Sequence, residues 1–172
     1  MPKTIIVSNR LPIKISRDEN EKLVYSPSEG GLATGLGSIY KQGENIWIGW
    51  PGLPINKSKE KNEICDQLRK ENMMPVFLTS DEIHDFYEGF SNETLWPNFH
   101  YFNQYVVYNE DLWKVYKKVN RKFAKAIEPH LEEGDTLWIH DYQLLLLPAM
   151  VREIKQNPIL RFCLISRTIA GR

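Results

Sequence analysis

Cysteine is scarce: Cys65 and Cys163 are the only two in 172 residues, with no CxxC and no Cys/His cluster. That argues against a disulfide framework or a structural zinc site. An excess of one charge is also missing. Lys plus Arg number 22 and Asp plus Glu number 22, so the formal net charge is zero. No basic or acidic surplus points to nucleic acid or to an anionic membrane. A small anionic ligand stays open, because one or two well-placed Arg or Lys side chains suffice to hold it. Long apolar runs are missing too. The longest, Leu144 to Met150, is too short to cross a bilayer. Met1-Pro2-Lys3-Thr4 leads straight into a strand-like run, with no h-region or cleavage site, so no leader and a cytoplasmic setting are expected. Neither a GxGxxG fingerprint nor a P-loop is present.

What is present suits a globular chain. Hydrophobic residues make up 42%, charged residues 26% and aromatics 12%. The length supports one domain, and no linker or repeat divides residues 1–172. Thr4-Ile5-Ile6-Val7 is β-branched without alternation, the signature of a strand buried on both faces. Residues 12–26 read as a hairpin around Asp18-Glu19-Asn20. Gly30-Gly31 opens a helical pattern through Leu32, Leu36 and Ile39. Ile46-Trp47-Ile48 predicts a second strand. Residues 55–63 read as a Lys-rich loop before a short helix carrying Ile64 and Leu68. Residues 75–78 predict a third strand, and Thr79 with Glu82 a capping box. Glu110 to Leu131 is the clearest helix, stopped by Gly134-Asp135. Thr136 to Ile139 is a fourth strand, Gln143 to Gln156 a helix with Pro148 perturbing its middle, and Leu160 to Ile165 a fifth strand. Alternating strands and helices imply an α/β fold, a Rossmann-like parallel sheet with flanking helices.

In such sheets ligands bind beyond the carboxyl ends of the strands. Three strands end in functional groups: Ser8-Asn9-Arg10, Gly49-Trp50-Pro51-Gly52 and His140-Asp141. Arg, Trp and Asp on one rim suit an anionic sugar. Arg forks onto a phosphate, an indole faces a sugar ring, and a carboxylate accepts from hydroxyls. Each residue also has a plainer role. Arg10 could sit in a surface ion pair, Trp47 and Trp50 in the core, and Asp141 at a helix cap. His140 reads as a satisfied structural histidine. Gly30-Gly31 is either an ordinary turn or a place where amides approach a phosphate. Tyr87 to Pro97 is rich in aromatics, and reads as a packed loop or as the wall of a polar-ligand site, with Tyr87 and Trp96 facing it.

Taken in order, several segments resemble the trehalose-6-phosphate synthase family of retaining glycosyltransferases. They are Val7-Ser8-Asn9-Arg10-Leu11-Pro12, Ser28-Glu29-Gly30-Gly31-Leu32 and Trp47-Ile48-Gly49-Trp50-Pro51-Gly52. Tyr87 through Leu95-Trp96-Pro97, Phe99-His100-Tyr101, Tyr116, Val119-Asn120, Phe123-Ala124 and Trp138-Ile139-His140-Asp141-Tyr142 continue the series. The resemblance implies a GT-B architecture, of which residues 1–172 would form the incomplete N-terminal, acceptor-binding domain, with the C-terminal donor domain absent. It implies glucose transfer from UDP-glucose to glucose 6-phosphate, giving trehalose 6-phosphate and UDP, with no cofactor and no metal. By position, Arg10, Tyr87 and Trp96 would hold glucose 6-phosphate, and Trp50 would line the same pocket. Gly30 and Gly31 would approach the UDP-glucose diphosphate. Asp141 would touch sugar hydroxyls at the reaction centre.

Residues 162–172 depart from the pattern. The family's Phe-Phe-Leu-His run places its donor-contacting histidine on Ile165, and the following Pro-Phe-Pro turn is missing. A shifted reading frame, a truncation or decay would each give such a tail. The expectation is an acceptor half-site with little synthase activity alone, and an uncovered sheet edge prone to self-association. Two other readings remain: a non-catalytic regulatory or binding subunit beside a full-length synthase, and a related transferase making glucosylglycerol phosphate or joining cyclitols.

Overall fold

The computed structural model describes residues 2–28, 35–36, 40, 43–155 and 158–163. Its centre is a five-stranded parallel sheet of β1 (Thr4–Arg10), β4 (Ile46–Trp50), β5 (Met73–Pro75), β6 (Thr136–His140) and β7 (Ile159–Cys163), in the order β5-β4-β1-β6-β7. β2 (Ile13–Arg17) and β3 (Leu23–Pro27) form a separate antiparallel hairpin. The α/β, Rossmann-like class expected from the sequence is the class observed.

Side chains alternate across β1. Ile5 and Val7 point to one face and Ile6 to the other, and all three are fully buried. On the Ile5/Val7 face pack the helical run 83–99, α4 (Glu110–Ile127) and α5 (Leu147–Ile154), through Phe86, Phe90, Tyr116, Phe123 and Val151. On the Ile6 face lie α1 (Ser58–Arg69) and the hairpin, with Trp47, Ile64, Leu68 and Ile15 buried between them. Cover on both faces is why the central strands read as unbroken apolar runs.

α4 follows its pattern closely. Asn109 caps it, its side-chain oxygen accepting from the amides of Asp111 and Leu112. Tyr116, Asn120, Phe123 and Ile127 form its buried face. The Thr79–Glu82 capping box is present in both directions, over α2 (Ser80–Glu82).

Several elements differ from expectation. The run 55–63 is not all loop: α1 begins at Ser58, its Lys and Glu residues lying on the solvent side. The third strand is Met73–Pro75 rather than 75–78. Pro75 has no amide to extend the ladder, and Val76 N–H closes it on Gly49 O at 2.8 Å. Val76 and Leu78 remain core residues. The helix expected from Gln143 begins at Leu147, after a 3-10 turn at Tyr142–Leu144, with Pro148 in its first turn. Proline's fixed φ and missing donor suit that position rather than a helix interior. The segment expected to be a loop, 87–97, is helical, built from wide turns over Ile83–Leu95 and then α3 (Trp96–Phe99). The helical pattern at Leu32 and Ile39, the last two positions of the expected fifth strand and the rest of the tail, 164–172, lie outside the described residues.

Candidate functional site

At the carboxyl ends of β1, β4 and β6 the chain forms a hollow of about 230 Å³. Its lining includes Asn9, Arg10, Ser28, Tyr87, Asp141 and Gln143. The volume is below the ~300–1,000 Å³ usual for drug-sized ligands, the scale of one small polar molecule.

A bulge turns Arg10 toward it. Val7 pairs with Ile48, yet Arg10 rather than Asn9 pairs with Trp50, so β1 carries one extra residue. Ser8 locks the distortion. Its hydroxyl donates to Arg10 O at 2.6 Å and accepts from the Trp47 indole N–H at 2.8 Å. Gly49 permits the close strand approach, since a Cβ there would lie 2.9–3.0 Å from backbone atoms of Ser8, Arg10 and Leu11. The Arg10 side chain is exposed and stacks over Trp50, its guanidinium carbon 4.7 Å from the ring centroid. Among the described residues its guanidinium forms no ion pair and no hydrogen bond, and Arg10 lines the hollow with its donors uncommitted.

Asp141 follows β6 in an unusual conformation, φ 74° and ψ 165°. That region is nearly exclusive to glycine, costs about 1–3 kcal/mol, and concentrates at functional sites. Its amide donates to Cys163 O, and its carboxylate accepts from Tyr142 N–H at 2.8 Å. Burial pushes the Asp141 pKa above its ordinary value, against the opposing pull of that amide. The neighbouring Tyr142 phenol is pushed up to about 12, chiefly by burial, and donates to Asn92 Oδ1 at 3.0 Å.

The structure brings Arg10, Tyr87 and Asp141 together and separates two other expected residues from them. Trp50 does not line the hollow. It is 3% exposed and sits beneath Arg10, because β4 buries that position in the core. Trp96 lines a different hollow, with Asn92, Glu93, Pro97, Phe102 and Tyr105. It stacks on His100 at 4.1 Å, because the helical turn of α3 sets its direction. The Tyr142 hydroxyl, one residue after Asp141, hydrogen-bonds to Asn92 in the wall of this second hollow. Gly30 and Gly31 lie outside the described residues.

Sequence reasoning passed over Asn9 and Gln143. Both are more than nine-tenths buried in the lining, and each holds a buried carbonyl oxygen without a hydrogen-bond partner among the described residues. Their signal was position, one residue before Arg10 and two after Asp141. His140, expected to be a satisfied structural residue, is buried, and neither ring nitrogen has a hydrogen-bond partner among the described residues. Burial depresses its pKa to about 4.

The family model for glycosyltransferase family 20 matches residues 2–166. The chain belongs to glycosyltransferase family 20. Among its relatives in that family is the α,α-trehalose-phosphate synthase [UDP-forming] of Emericella nidulans, 43% identical over 152 residues, covering 88% of this chain and 30% of the relative. The chain thus spans about 30% of the length of that curated relative. The solved α,α-trehalose 6-phosphate synthase from Burkholderia multivorans superposes with a TM-score of 0.72 at 30% identity, over 95% of this chain and 33% of that one. A chain from E. coli bound with UDP-2-fluoro glucose gives 0.70 at 28% identity, over 94% and 32%. Within this family 20 chain, no three His, Cys, Asp or Glu side chains among the described residues converge as a metal site, and no described helix is long and apolar enough to cross a membrane.

Proposed function

We propose that the hollow between Arg10 and Asp141 is the acceptor half-site of an α,α-trehalose-phosphate synthase, receiving glucose 6-phosphate. The observation that carries this reading is an uncommitted guanidinium and a half-buried carboxylate lining one small hollow at the strand ends. Arg10 forks onto the phosphate, and the Trp50 face beneath holds the guanidinium level. Tyr87 offers its hydroxyl. Asp141, kept partly dry, accepts from sugar hydroxyls, so its interactions are stronger than they would be in bulk water. Trp96 enters from the wall of the second hollow.

UDP-glucose is the donor in this reading, with the amides of Gly30 and Gly31 toward its diphosphate. The bond from glucose C1 to the diphosphate oxygen breaks as the acceptor hydroxyl oxygen bonds to C1. The hydroxyl proton passes to the leaving phosphate, so no protein nucleophile is required. Positioning and electrostatic stabilisation supply the rate. Residues 1–172 act as one acceptor-binding domain in the cytoplasm. Ile159 and Phe162, exposed on edge strand β7, offer a surface for a second copy or an intact synthase.

Isothermal titration of the chain with glucose 6-phosphate, glucose and inorganic phosphate tests the reading. Glucose 6-phosphate binding that exceeds both fragments supports it. Equal affinity for phosphate alone, or no binding of any, overturns it.

A further inference from the structure

Two side chains of α4 grip the turn that follows Asp141. Tyr116 and Asn120 lie one helical turn apart, 1% and 0% exposed. The Tyr116 hydroxyl donates to Tyr142 O at 2.7 Å and accepts from Leu145 N–H at 3.1 Å. The Asn120 amide donates to Gln143 O at 3.0 Å and to Tyr116 O at 3.0 Å. Three backbone groups of residues 142–145 are therefore satisfied by α4 rather than by a continuing helix. Asp141 stands at the head of this turn with a backbone that a non-glycine residue does not hold unaided. Its carboxylate also leans on the turn, through Tyr142 N–H.

We propose that Tyr116 and Asn120 are positioning residues, which hold Asp141 in its strained conformation so that its carboxylate faces the ligand hollow. The hydroxyl and amide never reach the ligand. They act by making the relaxed conformation of Asp141 unavailable, since letting it relax would leave buried carbonyls of residues 142 and 143 without donors. This rests on the acceptor-site reading for its ligand, but not for its geometry.

The test uses Tyr116→Phe against a control, Val119→Ala, on the same helix and fully buried but outside the network. The first readout is glucose 6-phosphate affinity. Tyr116→Phe weakens it about tenfold, the scale of one lost buried hydrogen bond transmitted through the turn. Val119→Ala lowers thermal stability and leaves affinity unchanged. The second readout needs no ligand: the carbon-13 titration of the Asp141 carboxyl. Tyr116→Phe moves its midpoint toward the ordinary Asp value, and Val119→Ala does not. Should wild type bind no glucose 6-phosphate, the functional reading fails while the titration still decides this inference. Should Tyr116→Phe not fold, Asn120→Ser carries the same two readouts. An unchanged Asp141 titration in a folded network variant, or equal effects from Val119→Ala, overturns the proposal.

Discussion

The guanidinium of Arg10 lies over the indole of Trp50, 4.7 Å from the ring centroid. The two are register partners across β1 and β4, brought level by the bulge between Val7 and Arg10. The stack consumes none of the guanidinium's hydrogen-bond donors. Arg10→Ala is therefore expected to weaken glucose 6-phosphate binding by about 2–3 kcal/mol, the range for charge-assisted hydrogen bonds, or roughly 30- to 150-fold. Arg10→Lys keeps the charge but loses the fork and the planar stack, so it should recover only part of the loss. Titration calorimetry measures both, and an unchanged affinity in Arg10→Ala would remove Arg10 from the site.

Gly49 decides how closely β4 approaches the bulge. All three near neighbours of a Cβ there are backbone atoms that cannot swing aside. Gly49→Ala should cost about 1–3 kcal/mol, by the measure of overpacked interiors, and lower Tm by roughly 3–10 °C. Gly52 has φ +89° but no atom within 4 Å of a Cβ. Gly52→Ala should cost only the conformational strain, about 1 kcal/mol. Thermal melts separate the two, and a smaller drop for Gly49→Ala contradicts the steric account.

Asp141 combines backbone strain with a half-buried carboxylate. Asp141→Gly relieves both, so Tm should rise by a few degrees while ligand binding falls, the trade expected of a strained functional residue. Asp141→Asn keeps the strain and the shape and should lower binding without the gain in stability. A drop in Tm for Asp141→Gly would show that the strain relieved is smaller than the loss of the carboxylate's bond from Tyr142 N–H.

His140 makes stability pH-dependent. Burial holds its folded pKa at about 4, against 6.5 for an ordinary histidine. Between those values the unfolded chain binds the extra proton, so stability falls as pH drops from 6.5 and the contribution is gone below 4. The full effect is about 3 kcal/mol. Glu82 and Asp135, whose pKa values are lowered overall by their lysine and amide partners despite burial, contribute their losses only below the ordinary carboxylate range. Urea midpoints at pH 7 and pH 4.5 should therefore differ more in wild type than in His140→Leu, which keeps the acid-side loss from His130, whose pKa burial also lowers. Equal differences in both would show that His140 finds a partner when protonated.

Much of the fold was legible because its signals are local. Thr4 to Val7 announced a strand covered on both faces, Glu110 to Leu131 an amphipathic helix that in the structure ends at Ile127, and Thr79 with Glu82 a helix start. Misreadings fell where tertiary context overrides local pattern. Lys-rich residues near Ser58 are compatible with loop or helix until Ile64 and Leu68 find the sheet. Aromatic, turn-prone residues from Tyr87 to Pro97 read as loop, yet Phe86, Phe90 and Thr94 bury them as helix.

By itself the chain's order of residues determined the layered α/β class, the strands whose ends carry Arg10, Trp50 and Asp141, and membership of a glycosyltransferase family. Only the tertiary structure decided that Arg10 and Asp141 share a hollow with Tyr87, that Trp50 lies beneath it and that Trp96 lines another. The reason is geometric. Where a side chain points depends on strand register, a one-residue bulge and the rotation of a packed helix. Those are set by contacts between segments far apart in the chain, such as Ser8 with Trp47 and Tyr116 with the turn after Asp141.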